Sequence, residues 1–312
     1  MEDEVCVSAS GNFACIFDGH GGGFVSKYLK SNFYSKFLQS LPSDVEWSGD
    51  LVAEAFCQSL SKCDAEIGQL QRWRHQGSTV SAVCLHGDAY LSCLNVGDSR
   101  AVLGRRGGTA LDLSNDHKPE LPSERARIEG LGGFVKWHGL VGPSGAPIVG
   151  TGCYRINGNL ALSRAAGDHA MRPFVSCEPD VRKVRLGDED DFVIVASDGL
   201  WDVFASHEAC AFVRDCAAIL AAPSSSNPST GPPTQPQPRG SKASRVELMH
   251  AVSSFKAKAG RLEAAGGGLA RGPARAAAFR RLAATLLVEA ALRRGSSDNI
   301  SCVVVWLRDV VE

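Results

Sequence analysis

The feature of this chain that most restricts its fold is a repeated step from a short apolar run into an aspartate that lies in a tight turn. Asp18 follows the apolar run 12–17 and precedes Gly19, Asp98 lies in Val-Gly-Asp-Ser-Arg, and Asp198 lies in Ala-Ser-Asp-Gly. A short apolar run that ends at such a turn is typical of a buried β-strand, so each aspartate is expected at the rim of a sheet. Taken singly, each position is explained as well by turn formation, because aspartate and glycine are common turn residues.

Taken together, the acidic turns predict a cation site. Asp202 and Asp298 extend the series. If these turns meet at one edge, four or five carboxylates share a small volume and cannot all stay ionised without cations. Oxygen ligands without thiolates select Mg²⁺ or Mn²⁺ rather than zinc. His20, two residues after Asp18, can donate a proton near neutral pH.

Apolar periodicity predicts grouped strands with helices before and after them, which favours an α+β layered sandwich over a doubly wound parallel fold. The Gly-Asp turns between the runs 79–85, 89–96 and 100–103 predict an antiparallel meander. Strands are also expected at 12–17, 192–196 and 300–307, and helices at 24–41, 50–71, 123–131, 206–220 and 274–294.

Composition indicates the cellular compartment and argues against some classes of binding partner. Lys and Arg number 33 against 34 Asp and Glu, so no global attraction to nucleic acid or an anionic membrane is expected. The 11 cysteines form no Cys-x-x-Cys pair, no apolar stretch reaches the roughly 18 residues of a membrane helix, and the acidic start does not resemble a signal peptide. We therefore expect a cytoplasmic or nuclear protein.

One segment departs from the rest of the chain. Residues 222–242 contain six prolines and almost no apolar side chain, and 243–272 is rich in Ala and Gly. The whole of 222–272 is predicted to be a low-complexity, disordered insertion within a single domain. Its basic residues favour a solvated surface, with a docking site for an acidic partner as the alternative.

Ten short motifs make the chain resemble a known family, the metal-dependent serine/threonine protein phosphatases of the protein phosphatase 2C type. They occur in the family's order and span nearly the whole chain. The motifs are Met1-Glu2-Asp3, Phe17-Asp18-Gly19-His20-Gly21-Gly22, Gly77-Ser78-Thr79, Val96-Gly97-Asp98-Ser99-Arg100, Asp116-His117-Lys118-Pro119, Arg127-Ile128-Glu129, Gly132-Gly133, Ser163-Arg164-Ala165 with Gly167-Asp168, Ala196-Ser197-Asp198-Gly199-Leu200-Trp201-Asp202, and Ser297-Asp298-Asn299.

The resemblance implies an α+β fold: a four-layer αββα sandwich with two central antiparallel β-sheets flanked by helices. It also implies two Mg²⁺ or Mn²⁺ ions per chain, with a weaker third. By motif matching, Asp18 would bridge the two ions, Gly19 would ligate one through its carbonyl, Asp198 and Asp298 would complete the other, Glu2 and Asp3 would hold metal-bound waters, and Asp98 and Asp202 would serve the third ion.

The implied activity is hydrolysis of phosphoserine and phosphothreonine in proteins. A hydroxide that bridges the two ions would attack phosphorus, and His20 would protonate the departing oxygen as general acid. Residues 116–158 resemble the family's flap, a segment beside the site that helps to choose substrates. Phosphoproteins are the expected partners of a monomeric protein that binds neither nucleic acid nor membrane.

One family element is missing from the sequence. The family carries an Arg shortly before its Met-Glu-Asp segment, so 1–312 is expected to be a single phosphatase-like catalytic domain that is short at its N-terminus. Either the chain is truncated at an internal Met, or the substrate phosphate is held by metal-bound waters alone. The alternative function is therefore a catalytically impaired relative that acts as a binding or regulatory module. A Mg²⁺-binding module of unrelated fold is a third reading.

Overall fold

The structure is a computed structural model that describes residues 1–221 and 273–307. The insertion predicted at 222–272 therefore lies outside the described residues. Within the described ranges, no helix is both long enough and apolar enough to cross a membrane.

The described residues contain strands in two groups with helices before and after them, as the apolar pattern predicts. The helices are α1 (Phe24–Gln39), α2 (Gly49–Gly68), α3 (Pro122–Gly130), α4 (Asp198–Trp201), α5 (Ser206–Ala221) and α6 (Pro273–Arg293). The strands are β1 (Glu4–Val7), β2 (Phe13–Phe17), β3 (Gly19–His20), β4 (Gly77–Ser78), β5 (Val80–His86), β6 (Tyr90–Val96), β7 (Arg100–Arg105), β8 (Ala110–Asp112), β9 (Val135–His138), β10 (Cys153–Ile156), β11 (Ala166–Gly167), β12 (Asp180–Arg185), β13 (Asp190–Ala196) and β14 (Cys302–Trp306).

Two antiparallel sheets form the centre of the fold. The first has five strands in the order β1-β2-β5-β6-β12, and the second has four in the order β14-β13-β7-β8. Apolar side chains between the sheets, among them Ile16, Val83 and Val195, form one buried core. The predicted α+β class with antiparallel sheets is confirmed.

Helices cover the outer face of each sheet. Apolar residues recur along α1 at Val25, Leu29, Phe33 and Phe37, and this stripe is buried with α2 against the first sheet. On the other side, α5 and α6 bury their apolar faces against the second sheet, where Phe192 and Trp306 contact them. The order is thus helices, sheet, sheet, helices.

The predicted three-stranded meander is wrong in one respect. Strands β5 and β6 pair as a hairpin, but β7 pairs with β8 and β13 in the second sheet instead of with β6. Gly97, at φ +97°, lies in the turn that carries the chain from one sheet to the other. Both flanking strands are buried on both faces, so their apolar pattern does not reveal which sheet each one joins.

Eight strands were not predicted: β1, β8, β9, β10 and β12, and the two-residue strands β3, β4 and β11. Edge strands β1 and β12 carry mostly partly buried or exposed side chains, and β12 is dominated by charged residues. Strands β9 and β10 form a hairpin within 116–158, the segment that also contains α3. The hairpin's exposed Lys136 and the exposed charges of β12 interrupt the apolar alternation by which a strand is recognised.

A three-stranded sheet of two-residue strands lies beside the main sandwich, in the order β11-β4-β3. His20 lies opposite Gly77, and Gly77 lies opposite Gly167. Residues from three distant parts of the chain are therefore brought side by side at the end of β2.

Candidate metal centre

Strand directions bring the acidic turns to one end of the sandwich. Strands β2 and β6 run the same way because each is antiparallel to β5, so Asp18 and Asp98 follow strands that end at the same edge. Strand β1 runs opposite to β2, with Glu4 across from Phe17, and this register places Asp3 beside Asp18.

The second sheet contributes the other acids. Asp198 follows β13, and β14 runs antiparallel to β13 with Cys302 across from Ala196. The turn before β14 is fastened to the end of β13 because the Ser301 backbone N–H donates to Ser197 Oγ at 2.9 Å. Asp298 in that turn is exposed, and its carboxylate accepts the backbone N–H of Asn299 at 2.6 Å.

Thr79 ties two of the acidic turns together. Its hydroxyl accepts the backbone N–H of Asp18 at 3.0 Å, and its own backbone N–H donates to the Asp18 carbonyl at 2.9 Å. The same hydroxyl lies 2.7 Å from Ser99 Oγ, next to Asp98. The spacing between the two acidic turns is therefore fixed by hydrogen bonds.

We call the end of the sandwich that carries Asp18, Asp98 and Asp198 the acidic end; its electrostatics are unfavourable for ionised carboxylates. Burial, followed by the charges of Asp3 and Asp198, raises the pKa of Asp18 to about 10. Burial and the charges of Asp98, Asp202 and Asp298 raise the pKa of Asp198 to about 7, although Lys118 opposes them. Burial also raises the pKa of Asp202.

Several carboxylate oxygens are buried without a hydrogen-bond partner: both Oδ atoms of Asp3 and Oδ1 of Asp198. Buried polar atoms are nearly always paired, so orphaned oxygens beside other carboxylates fit a site that receives a cation. The donors are hard oxygens without a thiolate, which suits Mg²⁺ or Mn²⁺. As they stand, no three acidic, His or Cys side chains in residues 1–221 and 273–307 form a complete metal-ligand group.

Glu2 and Gly19 occupy the same corner. A Cβ on Gly19 would lie 2.6 Å from the Glu2 carbonyl oxygen and 2.7 Å from Ser26 Oγ, so a glycine is needed at this position. Ser26 Oγ donates to that carbonyl at 2.5 Å, and the Glu2 backbone N–H donates to Asn299 Oδ1 at 3.3 Å. These contacts hold the start of the chain over the end of β2.

Lys118 places a positive charge inside the acidic end. Its Nζ lies 2.5 Å from Asp98 Oδ2, a carboxylate that is 6% exposed. Burial lowers the pKa of Lys118, but the charges of Asp98, Asp198 and Asp202 outweigh it and raise that pKa above its usual value. No role was predicted for Lys118, although it belongs to the motif Asp116-His117-Lys118-Pro119.

His20 is paired with an acid that was not predicted to take part. Its Nε2 lies 2.6 Å from Asp168 Oδ2, and the Asp168 side chain is 2% exposed. Burial lowers the pKa of His20, but the hydrogen bond and charge of Asp168 outweigh it and raise that pKa. The motif Gly167-Asp168 was the available signal, but nothing in it indicates a partner 148 residues away.

The structure thus brings six of the nine predicted site residues, Asp3, Asp18, Gly19, His20, Asp98 and Asp198, into one buried or half-buried corner, with the half-buried Glu2 and the exposed Asp202 and Asp298 at its margin. The two-sheet sandwich therefore carries clustered acids at one end, with a half-buried histidine beside them.

The sequence model of the family described as protein phosphatase 2C matches residues 6–226. The chain therefore belongs to the protein phosphatase 2C family, and the predicted resemblance is confirmed.

Relatives and solved structures agree with this assignment. Probable protein phosphatase 2C 71 of Arabidopsis thaliana is 39% identical over 202 residues, which cover 64% of this chain and 41% of that protein. Probable protein phosphatase 2C 8 of Oryza sativa subsp. japonica is 32% identical over 317 residues, covering 95% of this chain and 62% of the relative. The chain thus spans about half the length of these relatives.

Two solved structures share the fold. A sex determining protein of C. elegans superposes with a TM-score of 0.66 at 21% identity, covering 98% of this chain and 61% of that one. The serine-threonine phosphatase 2C of Toxoplasma gondii superposes with a TM-score of 0.59 at 23% identity, covering 98% of this chain and 90% of that one.

Proposed function

We propose that this protein is a Mg²⁺- or Mn²⁺-dependent protein phosphatase that hydrolyses phosphoserine and phosphothreonine. The observation that carries the proposal is the group of buried, mutually repelling carboxylates beside the His20–Asp168 pair. Membership of the protein phosphatase 2C family supports the reaction class.

The proposed ligands are those that the resemblance to the family implies, and the acids among them lie at or beside the acidic end of the sandwich. Asp18 would be shared between two ions, with the Gly19 carbonyl on one side and Asp198 and Asp298 on the other. Glu2 and Asp3 would hold water at the margin, and Asp98 and Asp202 would take a weaker third ion. Bound divalent ions would lower the pKa of a water near phosphorus and neutralise charge on the phosphoryl oxygens.

The protein's own contribution to bond cleavage is assigned to His20. A serine or threonine alkoxide is a poor leaving group, so it needs a proton as the P–O bond breaks. His20 Nε2 is engaged with Asp168, which leaves Nδ1 as the ring nitrogen that donates this proton. The His20 side chain is 24% exposed, so it remains accessible to a substrate.

Hydrolysis of a phosphoserine peptide with Mn²⁺ tests the proposal, with Asp198→Ala compared with the wild type. The matched control is Asp190→Asn, because Asp190 is also buried but lies at the opposite end of β13 and is paired with Arg105. We expect Asp198→Ala to lose roughly 10³-fold or more in kcat, while the control keeps its activity per folded molecule. Equally slow hydrolysis by all three proteins would refute the enzyme and leave the binding module.

Phosphoproteins are the proposed partners, with a single chain as the active unit. We also propose a location in the cytoplasm or nucleus, which the 11 free cysteines support. Fluorescence imaging of the tagged protein and its mass in solution test these two points.

A further inference from the structure

We propose that Asp168 is the positioning residue of His20, and that a salt bridge between Asp64 on α2 and Arg172 holds Asp168 in place. The inference rests on the general-acid role of His20 in the proposed function. It assigns a function to three residues for which no role was predicted.

The contact between Asp168 and His20 is short and built into the fold. The two side chains meet at 2.6 Å, and the Asp168 carboxylate is almost completely buried. They meet directly over Gly77, where an added Cβ would overlap Asp168 Oδ2 and would lie 2.6 Å from His20 Nε2. A residue with any side chain at position 77 would therefore force the two groups apart.

The small sheet β11-β4-β3 sets the register of this contact. His20 and Gly167 both lie across from Gly77, so Asp168 follows directly after the residue that shares a partner with His20. The Asp168 backbone N–H donates to the Gln76 carbonyl at 2.8 Å. Asp168 has φ +48°, in the left-handed region, which turns the chain sharply at this residue.

The Asp64–Arg172 salt bridge involves residues before and after Asp168 in the chain. On one side, Asp64 Oδ1 accepts the Gly167 backbone N–H at 2.7 Å. On the other, both Asp64 oxygens accept from Arg172 Nη2 at 3.1 Å, and the same nitrogen donates to the Gly167 carbonyl at 3.0 Å. The two side chains are 17% and 24% exposed, so the bridge is largely shielded from water.

The arrangement fixes the orientation of the imidazole. With Nε2 held by Asp168, the ring cannot rotate freely, and Nδ1 keeps one direction relative to the acidic turns. A buried carboxylate that orients a catalytic imidazole in this way acts through geometry and tautomer choice, and it does not take the proton itself. The proton transferred to the leaving oxygen comes from His20 Nδ1 alone.

The test compares substrates whose leaving groups need a proton with substrates whose leaving groups do not. We expect Asp168→Asn to lower kcat on a phosphoserine peptide by roughly 100-fold, with little change in KM, since general acid catalysis contributes about 10²–10⁴-fold. On p-nitrophenyl phosphate, whose leaving group departs without protonation, the loss should stay below about fivefold. Asp64→Asn should also lose more activity on the peptide than on p-nitrophenyl phosphate, with a loss of roughly 10-fold on the peptide.

Two further variants protect the test against misfolding. Asn and Gly both tolerate positive φ, so Asp168→Asn and Asp168→Gly are each compatible with the backbone at this position. Gly77→Ala leaves both charges in place but separates them, and it should give the same dependence on the leaving group. Asp190→Asn is the control for loss of a buried ion pair and should leave the ratio of the two activities unchanged.

The outcomes separate the inference from the proposed function. If His20→Gln shows no dependence on the leaving group, His20 is not the acid, and the proposed mechanism is wrong. The other case is that His20→Gln loses more activity on the phosphoserine peptide than on p-nitrophenyl phosphate, whereas Asp168→Asn lowers both activities equally. If circular dichroism shows that Asp168→Asn is folded, Asp168 is then only structural and the inference is overturned.

Discussion

Two regions of this protein bury carboxylates in opposite ways. At the acidic end of the sandwich, Asp18 is surrounded by other acids, and burial and their charges raise its pKa to about 10. At the base of the 116–158 segment, Glu124 is 3% exposed but accepts hydrogen bonds from Arg164 and Arg127. Burial raises the pKa of Glu124, but these two arginines outweigh it and lower that pKa to about 2.

The difference shows which region balances its buried acids with positive charges of its own. The Glu124 cluster carries its own counter-charges, and Arg164 extends it to Asp180 at 3.2 Å, so it stabilises the fold without any ligand. The acidic end has Lys118 but still leaves Asp3 and Asp198 oxygens unpaired. Burial of acids without matching bases is costly, so this end does not stabilise the metal-free fold, and the proposed cations would supply the missing positive charge.

The largest expected effect comes from Asp18→Asn, which removes one charge with little change in shape. Activity should fall by roughly 10³-fold or more because a shared ligand is lost. The metal-free protein should nevertheless become more stable, by about 1–3 kcal/mol, since folding no longer forces protonation of a buried carboxyl whose pKa is about 10. Urea unfolding in EDTA at neutral pH measures this change, and a less stable variant would show that burial and the neighbouring acids do not make the Asp18 carboxyl unfavourable in the metal-free protein.

Glu124→Gln should have the opposite effect on stability and lower the free energy of unfolding. Replacing the acid leaves two arginines without their partner, and breaking a buried ion pair costs about 3 kcal/mol or more. The same urea experiment measures the loss. Asp50→Asn, which removes an exposed acid paired with Lys183, is the control and should leave the transition unchanged. If Glu124→Gln unfolds at the wild-type urea concentration, the two regions are not electrostatically distinct.

The pH dependence of stability should show the Glu124 contribution directly. Its pKa is lower in the folded protein than in the unfolded chain, so its contribution is complete above the unfolded value and is lost as pH falls from about 5 to about 2. Thermal unfolding from neutral pH down to about pH 3 should therefore bring the wild type and Glu124→Gln closer together. If the difference in unfolding temperature between the two proteins stays constant over this range, the ionised Glu124 carboxylate does not stabilise the fold.

The smallest expected effect concerns Lys118, whose ammonium contacts Asp98 within the acidic end. Lys118→Met should make Mn²⁺ bind roughly fivefold tighter, because a positive charge that competes with the ion is removed. Lys183→Met, which removes an exposed lysine of a surface pair, is the control. Calorimetric titration with Mn²⁺ measures the shift, and equal affinity in all three proteins would show that Lys118 does not oppose the ion.

The gathering of acids could be predicted because its cause is local. Asp18, Asp98 and Asp198 each follow a buried strand, and antiparallel pairing then places the ends of β2 and β6 together. The edge strand β12 was missed because its charged side chains hide the alternation. The switch of β7 to the second sheet depends on packing between sheets, which no local pattern records.

The partner of His20 was beyond prediction for a similar reason. Asp168 reaches His20 only through the register of β3, β4 and β11, strands of two residues each that carry no periodicity. Asp64 lies on a helix face where an acid is usually solvated, and its contact with Arg172 arises from tertiary packing. Motifs indicated that Gly77 and Gly167-Asp168 matter but not what they do.

Calorimetric titration of metal-free, folded protein with Mn²⁺ tests the central claim most directly. We expect two ions per chain, with a weaker third at high concentration, and loss of the tight binding in the double variant Asp18→Asn, Asp198→Asn. The Asp190→Asn control, with a buried acid removed from the other end of β13, should bind as the wild type does. No heat of binding to the folded wild type, or unchanged binding by the double variant, would contradict the claim that these acids form a metal centre.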